Sequence, residues 1–477
     1  VAVFGEGAML TGEGRSRTAV VVRDSLLARI PPAVFEDVMI ASPEVAVAMA
    51  RRVARRTVFP RVDDRARRRI DATVSFVSAS VPTARLEPFR EVSAAAVGGA
   101  GQVLAFGRDR SAEVFDAVRH SDRVVVVADA MDRVDVRPMM DMVLTGIDPL
   151  AAPALELLVI DRPRTAGGGR GAVWRHPDGF SHHLRVREGD VADLRRIGRH
   201  VSGRSVGIVF GGGGARGLAH IGVLRALAEL DIPVDSVGGS SMGAIIGGQH
   251  AMGWSWERIY EHNRKAWGEH RVRFEISLPT VSLFSGRRSK RMYDAAFGDL
   301  DIEDFRLPFF CTSVDMSAFR LAIHRTGSAA QWICASASVP GLWPPVVDAV
   351  GHLHVDGGQL NNVPTDVMRD AHDGPIIAVD VHAQQALMTV RPDSRPPIGL
   401  RHILSRRAGR YPSIAETFNR CALLGSLQHQ ETARNYADIY LTPDLSDIGF
   451  RAFHRIEHAA EIGYRTALQG LTGWTPP

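Results

Sequence analysis

Ser241 lies in Gly239-Ser240-Ser241-Met242-Gly243, between the apolar run IPVDSVG and the small-residue run AIIGGQHAMG. A serine on a tight strand-to-helix turn stands clear of its sheet, in a backbone conformation that only small neighbours permit. Gly239 and Gly243 are therefore read as elbow glycines, and Ser241 as a nucleophile for a carbonyl carbon. The helix start behind it favours developing negative charge. Attack on an ester builds an oxyanion, and each preorganised N–H donor is worth roughly 3 kcal/mol to it. The run Gly211-Gly212-Gly213-Gly214, with Arg216 just beyond, lets backbone approach a substrate closely at a helix start. A base is found in HLHVDGGQLNNVPTDV, where Asp356 ends a short strand and is followed by Gly357 and Gly358. A carboxylate on a glycine turn can sit under a serine hydroxyl without steric obstruction. The competing reading is a turn aspartate bonded to its own backbone.

These residues need a scaffold, and the flanking sequence predicts one. SVGIVF runs into GGGGARGLAHIGVLRALAEL, and IPVDSVG runs into GSSMGAIIGGQHAMG. Two strand–turn–helix units in succession open a parallel α/β sheet. The first turn has a rival reading, because Gly212-x-Gly214-x-x-Gly217 with Asp235 downstream also fits a dinucleotide-binding turn. That reading makes the chain a non-catalytic nucleotide- or dinucleotide-binding regulatory protein. It leaves the serine elbow one unit later unexplained.

The ordered set GGGxRG, Gly-x-Ser-x-Gly and Asp-Gly-Gly resembles the patatin-like phospholipases, and LPTVSLFSGRR, ASASVPGLWPPV and DGGQLNNVP resemble their neuropathy target esterase branch. The resemblance implies a patatin-like three-layer, parallel-sheet hydrolase domain. It makes Ser241 the nucleophile and Asp356 its partner, and puts Gly212, Gly213 and Gly214 in the oxyanion hole with Arg216 in the same loop. It implies calcium-independent hydrolysis of lysophospholipids or phospholipids through an acyl-serine, with no cofactor and no metal. It implies a dyad, although His352 and His354 share a strand face with Asp356 by alternation and His220 follows the glycine run. His220 is read as a packing residue. Met242, Leu283, Phe284, Leu342 and Trp343 are candidates for an acyl channel or for ordinary core.

Outside this region the chain is read in segments. Residues 1–60 are expected to be the C-terminal part of a cyclic-nucleotide-binding-like domain, a partial β jelly roll. There FGEGAMLTGEGRSRTA resembles a phosphate-binding cassette, with Glu6 for the ribose hydroxyl and Arg15 for the cyclic phosphate. Gly14 replaces the usual proline and the first half of the jelly roll is missing, so a truncated module is expected. Residues 61–200 read as a smaller α/β domain, because VSFVSA, GQVLAFG, DRVVVVADA and LELLVID are β-branched apolar runs. Residues 201–368 form the catalytic core and 369–477 a mostly helical extension.

Composition bounds the remainder. The chain has 477 residues, 45% hydrophobic and 23% charged, which suits several packed cores. All but two of its 57 basic residues are arginine, and the net charge of +4 alone says little; no nucleic-acid partner is expected. The clusters at Arg287–Arg291 and Arg406–Arg410 are candidates for peripheral contact with a membrane. Cys311, Cys334 and Cys421 are widely spaced, which fits buried thiols in a reducing compartment. The expected location is cytoplasmic, with the inner face of the membrane as a peripheral site. Opening on Val1 within a strand-like pattern, the chain reads as a fragment.

Overall fold

The computed structural model describes residues 30–42, 45–47, 73–97, 102–106, 121–131, 154–161, 180–269, 275, 280–382, 425 and 429–476. The jelly-roll expectation, with Glu6 and Arg15, falls outside the described residues, as do Cys421 and the Arg406–Arg410 cluster. The chain divides into two compact units. One comprises residues 1–182 and 186–203, the other 183–185 and 204–477.

The first unit follows a helix α1 (Pro32–Ala41) with a five-stranded sheet of β1 (Thr73–Ser78), β2 (Gln102–Phe106), β3 (Arg123–Asp129), β4 (Ala154–Asp161) and β5 (His182–Arg187). Its order is β2-β1-β3-β4-β5, with β2, β1, β3 and β4 parallel to their neighbours. Valines 124–127 and Leu157–Val159 are buried, as continuous apolar runs in a parallel sheet should be. Two helices, α2 (Glu87–Val97) and α3 (Val191–Val201), pack together, with Gly198 against Val92. Asp190 caps α3 by accepting from the Asp193 N–H.

The second unit carries β6 (Gly207–Phe210), β7 (Ser236–Gly239), β8 (Phe309–Asp315), β9 (Arg320–His324), β10 (Val346–Val347), β11 (Leu353–Asp356), β12 (Ile376–Val379) and β13 (Ile439–Leu441). Their order is β10-β11-β8-β7-β6-β12-β13, and β9 pairs with β8. From β8 to β13 the neighbours are parallel, while β9, β11 and β10 attach antiparallel. Alternation along β6 sends Ile208 and Phe210 to one core and Val209 to the other. The first core is closed by α4 (Ala219–Glu229), α5 (Met242–Ala251) and α10 (Ile456–Leu471), the second by α9 (Thr365–Ala371). The result is an α/β fold of helix, sheet and helix layers. Further helices α6 (Trp256–Asn263), α7 (Arg287–Phe297) and α8 (Ala329–Ser336) border the first core. Among the described residues no helix is long and apolar enough to cross a membrane.

Candidate active site

The sheet brings the serine and the aspartate together by an arrangement of three strands. On β8, Phe309–Cys311 pair with β7 and Ser313–Asp315 pair with β11, while β9 pairs with residues 311–315. A strand has two edges, so β7 and β11 must share one of them. Because β7 runs parallel to β8 and β11 antiparallel, their C-terminal ends meet head to head. Gly239 lies opposite Cys311 and Asp356 opposite Ser313, leaving only Thr312 between. Gly357 follows Asp356 directly over that residue, where a Cβ would stand 2.3 Å from the Thr312 carbonyl oxygen.

At this meeting point the Ser241 hydroxyl donates to Asp356 Oδ2 at 2.6 Å. The Gly358 N–H donates to Asp356 Oδ1 at 2.8 Å. Ser241 has φ +53°, a region a non-glycine residue enters only when its surroundings force it. The tight strand-to-helix turn holds it there, and the two flanking glycines make that turn possible. A Cβ on Gly239 would stand 2.6 Å from the Gly243 carbonyl carbon, and one on Gly243 would stand 2.1 Å from the Phe210 carbonyl oxygen. The Ser241 N–H is tied to Ser336 Oγ at 3.0 Å, which anchors the elbow to the end of α8. Ser240 is fully buried, and its hydroxyl has no partner among the described residues.

Burial raises the Asp356 carboxyl to about 6 against the pull of the Ser241 hydroxyl and the Gly358 amide. It is thus ionised at neutral pH yet far more basic than an exposed aspartate. None of the three candidate histidines bonds to it. His354 reaches Ser313 Oγ at 2.9 Å and Asp348 at 3.3 Å, and His352 reaches Asp315 at 3.0 Å. His220 donates from Nε2 to the Gly211 carbonyl at 2.7 Å, and burial lowers it to about 4, so it is neutral.

The glycine run lies directly against the nucleophile. A Cβ on Gly212 would come within 2.7 Å of the Ser241 Cβ. The Gly212 N–H, however, already donates to Asn362 Oδ1 at 3.1 Å, and the Asn362 amide donates back to the Gly212 carbonyl at 3.1 Å. The three predicted donors are therefore unequal. Gly213 and Gly214 keep N–H groups without an acceptor among the described residues, and so does Met242 at the start of α5. Gly214 has φ +58°, and the Ala215 N–H beside it donates to the Phe450 carbonyl at 2.9 Å. Arg216 turns away from the serine and donates from Nε to the Ile448 carbonyl at 2.8 Å, bracing the loop. Asn362 and Ser336 were not singled out from the sequence as parts of this site, and Met242 was singled out only for its side chain, as an acyl-channel or core residue.

The dinucleotide reading finds no second half here. Asp235 precedes β7 and accepts from the Val206 N–H at 2.9 Å, at the end of the sheet opposite the glycine run. A ribose-binding carboxylate belongs at the other end. Of the proposed acyl-channel residues, Met242 and Phe284 are buried, and Phe284 lies 5.5 Å from the Trp343 ring.

A potential metal cluster occurs in the first unit, where ligand atoms of Glu156, His182 and His200 gather within 4.8 Å. Arg123 already supplies a cation there. Its Nη1 lies 2.6 Å from Glu156 and 2.9 Å from His200. Burial opposes charge on Glu156, but Arg123 and His200 outweigh it and hold its carboxyl well below the usual carboxylate range.

Comparison with known proteins agrees with this architecture. Residues 208–369 match the family model of the patatin-like phospholipases. An NTE family protein of Mycobacterium tuberculosis is 32% identical over 98% of this chain and 84% of its own length. Patatin-like phospholipase domain-containing protein 6 of Mus musculus is 32% identical over 60% of this chain and 22% of its own. Lysophospholipase nte1 of Aspergillus fumigatus is 33% identical over 58% of this chain and 19% of its own. The chain belongs to the NTE family and is, with its patatin-like phospholipase domain, a lipid ester hydrolase.

Proposed function

We propose that the chain cleaves the acyl ester bond of lysophospholipids or phospholipids through a Ser241–Asp356 dyad and an acyl-serine intermediate. The observation that carries the dyad is the 2.6 Å hydrogen bond between a strained elbow hydroxyl and a buried carboxylate. Asp356 takes the hydroxyl proton as Ser241 Oγ adds to the ester carbonyl carbon. The tetrahedral oxyanion is received by the amides of Gly213 and Gly214, with the Met242 N–H as the donor expected after a nucleophile elbow. Gly212 serves by close approach, because its own amide is engaged by Asn362. As the carbonyl re-forms, the C–O bond to the alcohol breaks and protonated Asp356 returns the proton to the leaving oxygen. Water, deprotonated by Asp356, then attacks the acyl-serine; the acyl C–Oγ bond breaks, Asp356 returns the proton to Ser241 Oγ, and the fatty acid is released. The lysophospholipase activity in the fungal relative's name supports the substrate class.

A fluorophosphonate probe tests this. Intact mass is expected to rise by one adduct in the parent and not in Ser241→Ala, with lysophosphatidylcholine hydrolysis lost in parallel. Labelling of Ser241→Ala equal to the parent overturns the assignment of the nucleophile. Hydrolysis of nitrophenyl butyrate without any release from lysophosphatidylcholine overturns the substrate class alone.

A further inference from the structure

We propose that Asn362 and His382 are positioning residues, a latch that holds the Gly212–Gly213 peptide so that the Gly213 N–H faces the substrate carbonyl oxygen; the proposal rests on the acyl-serine reading of the same site. The latch joins loops at the C-terminal ends of three strands. Gly212 follows β6, His382 follows β12, and Asn362 lies on the loop that leaves β11 through Asp356. β6 and β12 are parallel neighbours, and their pairing continues into the loops, where the Gly211 N–H donates to the Val379 carbonyl at 2.9 Å.

Asn362 is buried, and its amide meets Gly212 twice. Oδ1 accepts from the Gly212 N–H and Nδ2 donates to the Gly212 carbonyl, each at 3.1 Å. Nδ2 also donates to His382 Nδ1 at 3.0 Å. Turning the amide over would set its oxygen against the Gly212 carbonyl and its nitrogen against the Gly212 N–H. Nδ2 can only donate, so His382 Nδ1 is the accepting, unprotonated ring nitrogen. Burial lowers the His382 imidazole from its ordinary value, against the pull of Asp380 and with the help of Arg216, which keeps that acceptor available at neutral pH. The loop carrying the ring is fixed in its turn. The His382 N–H donates to Asp380 Oδ1 at 2.9 Å, and Asp380 Oδ2 accepts from Gln430 Nε2 and the Tyr440 hydroxyl, both at 2.8 Å.

A planar trans peptide carries its N–H opposite its C=O, so whatever anchors the carbonyl of one residue aims the amide of the next. Two peptides of the glycine run are set in this way. In Gly211–Gly212 both ends are tied, the carbonyl to His220 Nε2 at 2.7 Å and the N–H to Asn362. In Gly212–Gly213 the carbonyl is tied, again to Asn362, while the N–H has no acceptor among the described residues. Glycine on both sides leaves little steric barrier to reversal of that peptide. Once reversed, it would offer a carbonyl oxygen where an oxyanion needs a donor. The Asn362 amide therefore decides which end of this dipole the substrate meets, and His382 decides which way the amide stands.

The latch sits against the dyad's own supports. A Cβ on Gly212 would stand 2.7 Å from Asn362 Oδ1 and 2.7 Å from the Ser241 Cβ. One on Gly358, whose N–H holds Asp356, would stand 2.8 Å from the same Asn362 oxygen. The amide thus lies between the glycine run and the turn that carries the base. Neither Asn362 nor His382 is given a proton or a bond of the reaction; both act through Gly212.

The test is steady-state hydrolysis of nitrophenyl butyrate by the full chain, beside inhibition by an alkyl trifluoromethyl ketone. Ser241 Oγ adds to that ketone, its proton passes to Asp356, and the former carbonyl oxygen becomes an oxyanion. Asn362→Asp keeps the size and the acceptor for the Gly212 N–H but sets a carboxylate oxygen against the Gly212 carbonyl. It is expected to lose about 100-fold in kcat, the scale of one oxyanion donor, with KM within about three-fold of the parent. Inhibition by the ketone should weaken by the same factor as kcat. His382→Phe keeps a ring without an acceptor and should lose about ten-fold, the scale of one hydrogen bond. His382→Asn, whose Oδ1 can accept, should recover most of that loss. Prolonged fluorophosphonate treatment should give one adduct per chain in every variant, which reports a folded chain with its dyad in place. If Asn362→Asp takes no adduct, the two His382 variants decide. A kcat in Asn362→Asp equal to the parent's overturns the proposal. So does a fall in kcat that leaves ketone inhibition unchanged, or a His382→Asn no better than His382→Phe. The acyl-serine reading fails separately: a parent that takes no adduct and hydrolyses no ester rejects it, whereas an active parent with unaffected variants rejects the latch alone.

Discussion

Asp356 is the residue at which function and stability pull in opposite directions. Burial has raised its carboxyl to about 6 from an ordinary value of 3.8. A group more easily protonated in the folded chain than in the unfolded one stabilises the fold at low pH and ceases to do so as pH rises. The window runs from about 4, where the unfolded group ionises, to about 6, where the folded one does. Above it the buried charge costs an upper bound of about 3 kcal/mol, reduced by residual solvation. Asp356→Asn keeps the shape, accepts from the Gly358 N–H through its oxygen and offers an N–H to Ser241. Thermal denaturation at pH 8 is expected to show this variant melting above the parent, with the gap closing toward pH 4. A gap that is constant with pH would mean that the carboxylate is not the source. For the parent, kcat/KM on a soluble ester is expected to climb with pH through about 6 and then level off. Ser241 and Asp356 were legible in the sequence because glycines must flank them, and glycines at fixed offsets are local signals. Asn362 was not. Its role is set by a Gly212 contact 150 residues away, and an asparagine two places before a proline announces only a turn.

Elements place those residues, and here the sequence was partly readable. The two strand–turn–helix units appear as β6–α4 and β7–α5 because apolar runs ending in glycine are enough to indicate them. The antiparallel course of β11, which faces Asp356 toward the end of β7, leaves no such mark in a four-residue strand. The close contact of α4 with α10 was also hidden, since it depends on two helices more than 200 residues apart. Gly222 and Gly463 make it possible. A Cβ on Gly222 would stand 1.8 Å from the Ala460 carbonyl oxygen, and one on Gly463 would stand 2.0 Å from that of Ala219. Glycine-to-alanine inside a helix ordinarily gains up to about 1 kcal/mol. Here the backbones must separate, and overpacking of this kind costs about 1–3 kcal/mol or more. Gly222→Ala is therefore expected to lower the melting temperature. It should also reduce kcat, because α4 carries His220, which holds the Gly211 carbonyl at the start of the glycine run beside Ser241. A variant as stable as the parent would mean that the helices have slack absent from this packing.

At the scale of the whole molecule, everything assigned to the chemistry belongs to one unit. Ser241, Asp356, the glycine run, Asn362 and Ser336 all lie between residues 204 and 477, together with the sheet and both cores that hold them. Residues 183–185 are grouped with that unit but belong to β5 of the other sheet. The first unit has its own buried strands and its own ionic centre at Glu156. Its sheet was legible from β-branched runs; its role was not, because a packed parallel sheet without a reactive constellation looks alike whatever it does. The fragment 204–477 is expected to fold, to take one fluorophosphonate adduct at Ser241 and to hydrolyse nitrophenyl butyrate within a few-fold of the full chain. Adduct formation on the full chain but not on a fragment with native circular dichroism would show that the first unit completes the catalytic geometry. The assignment of the chemistry to a single unit would then be wrong.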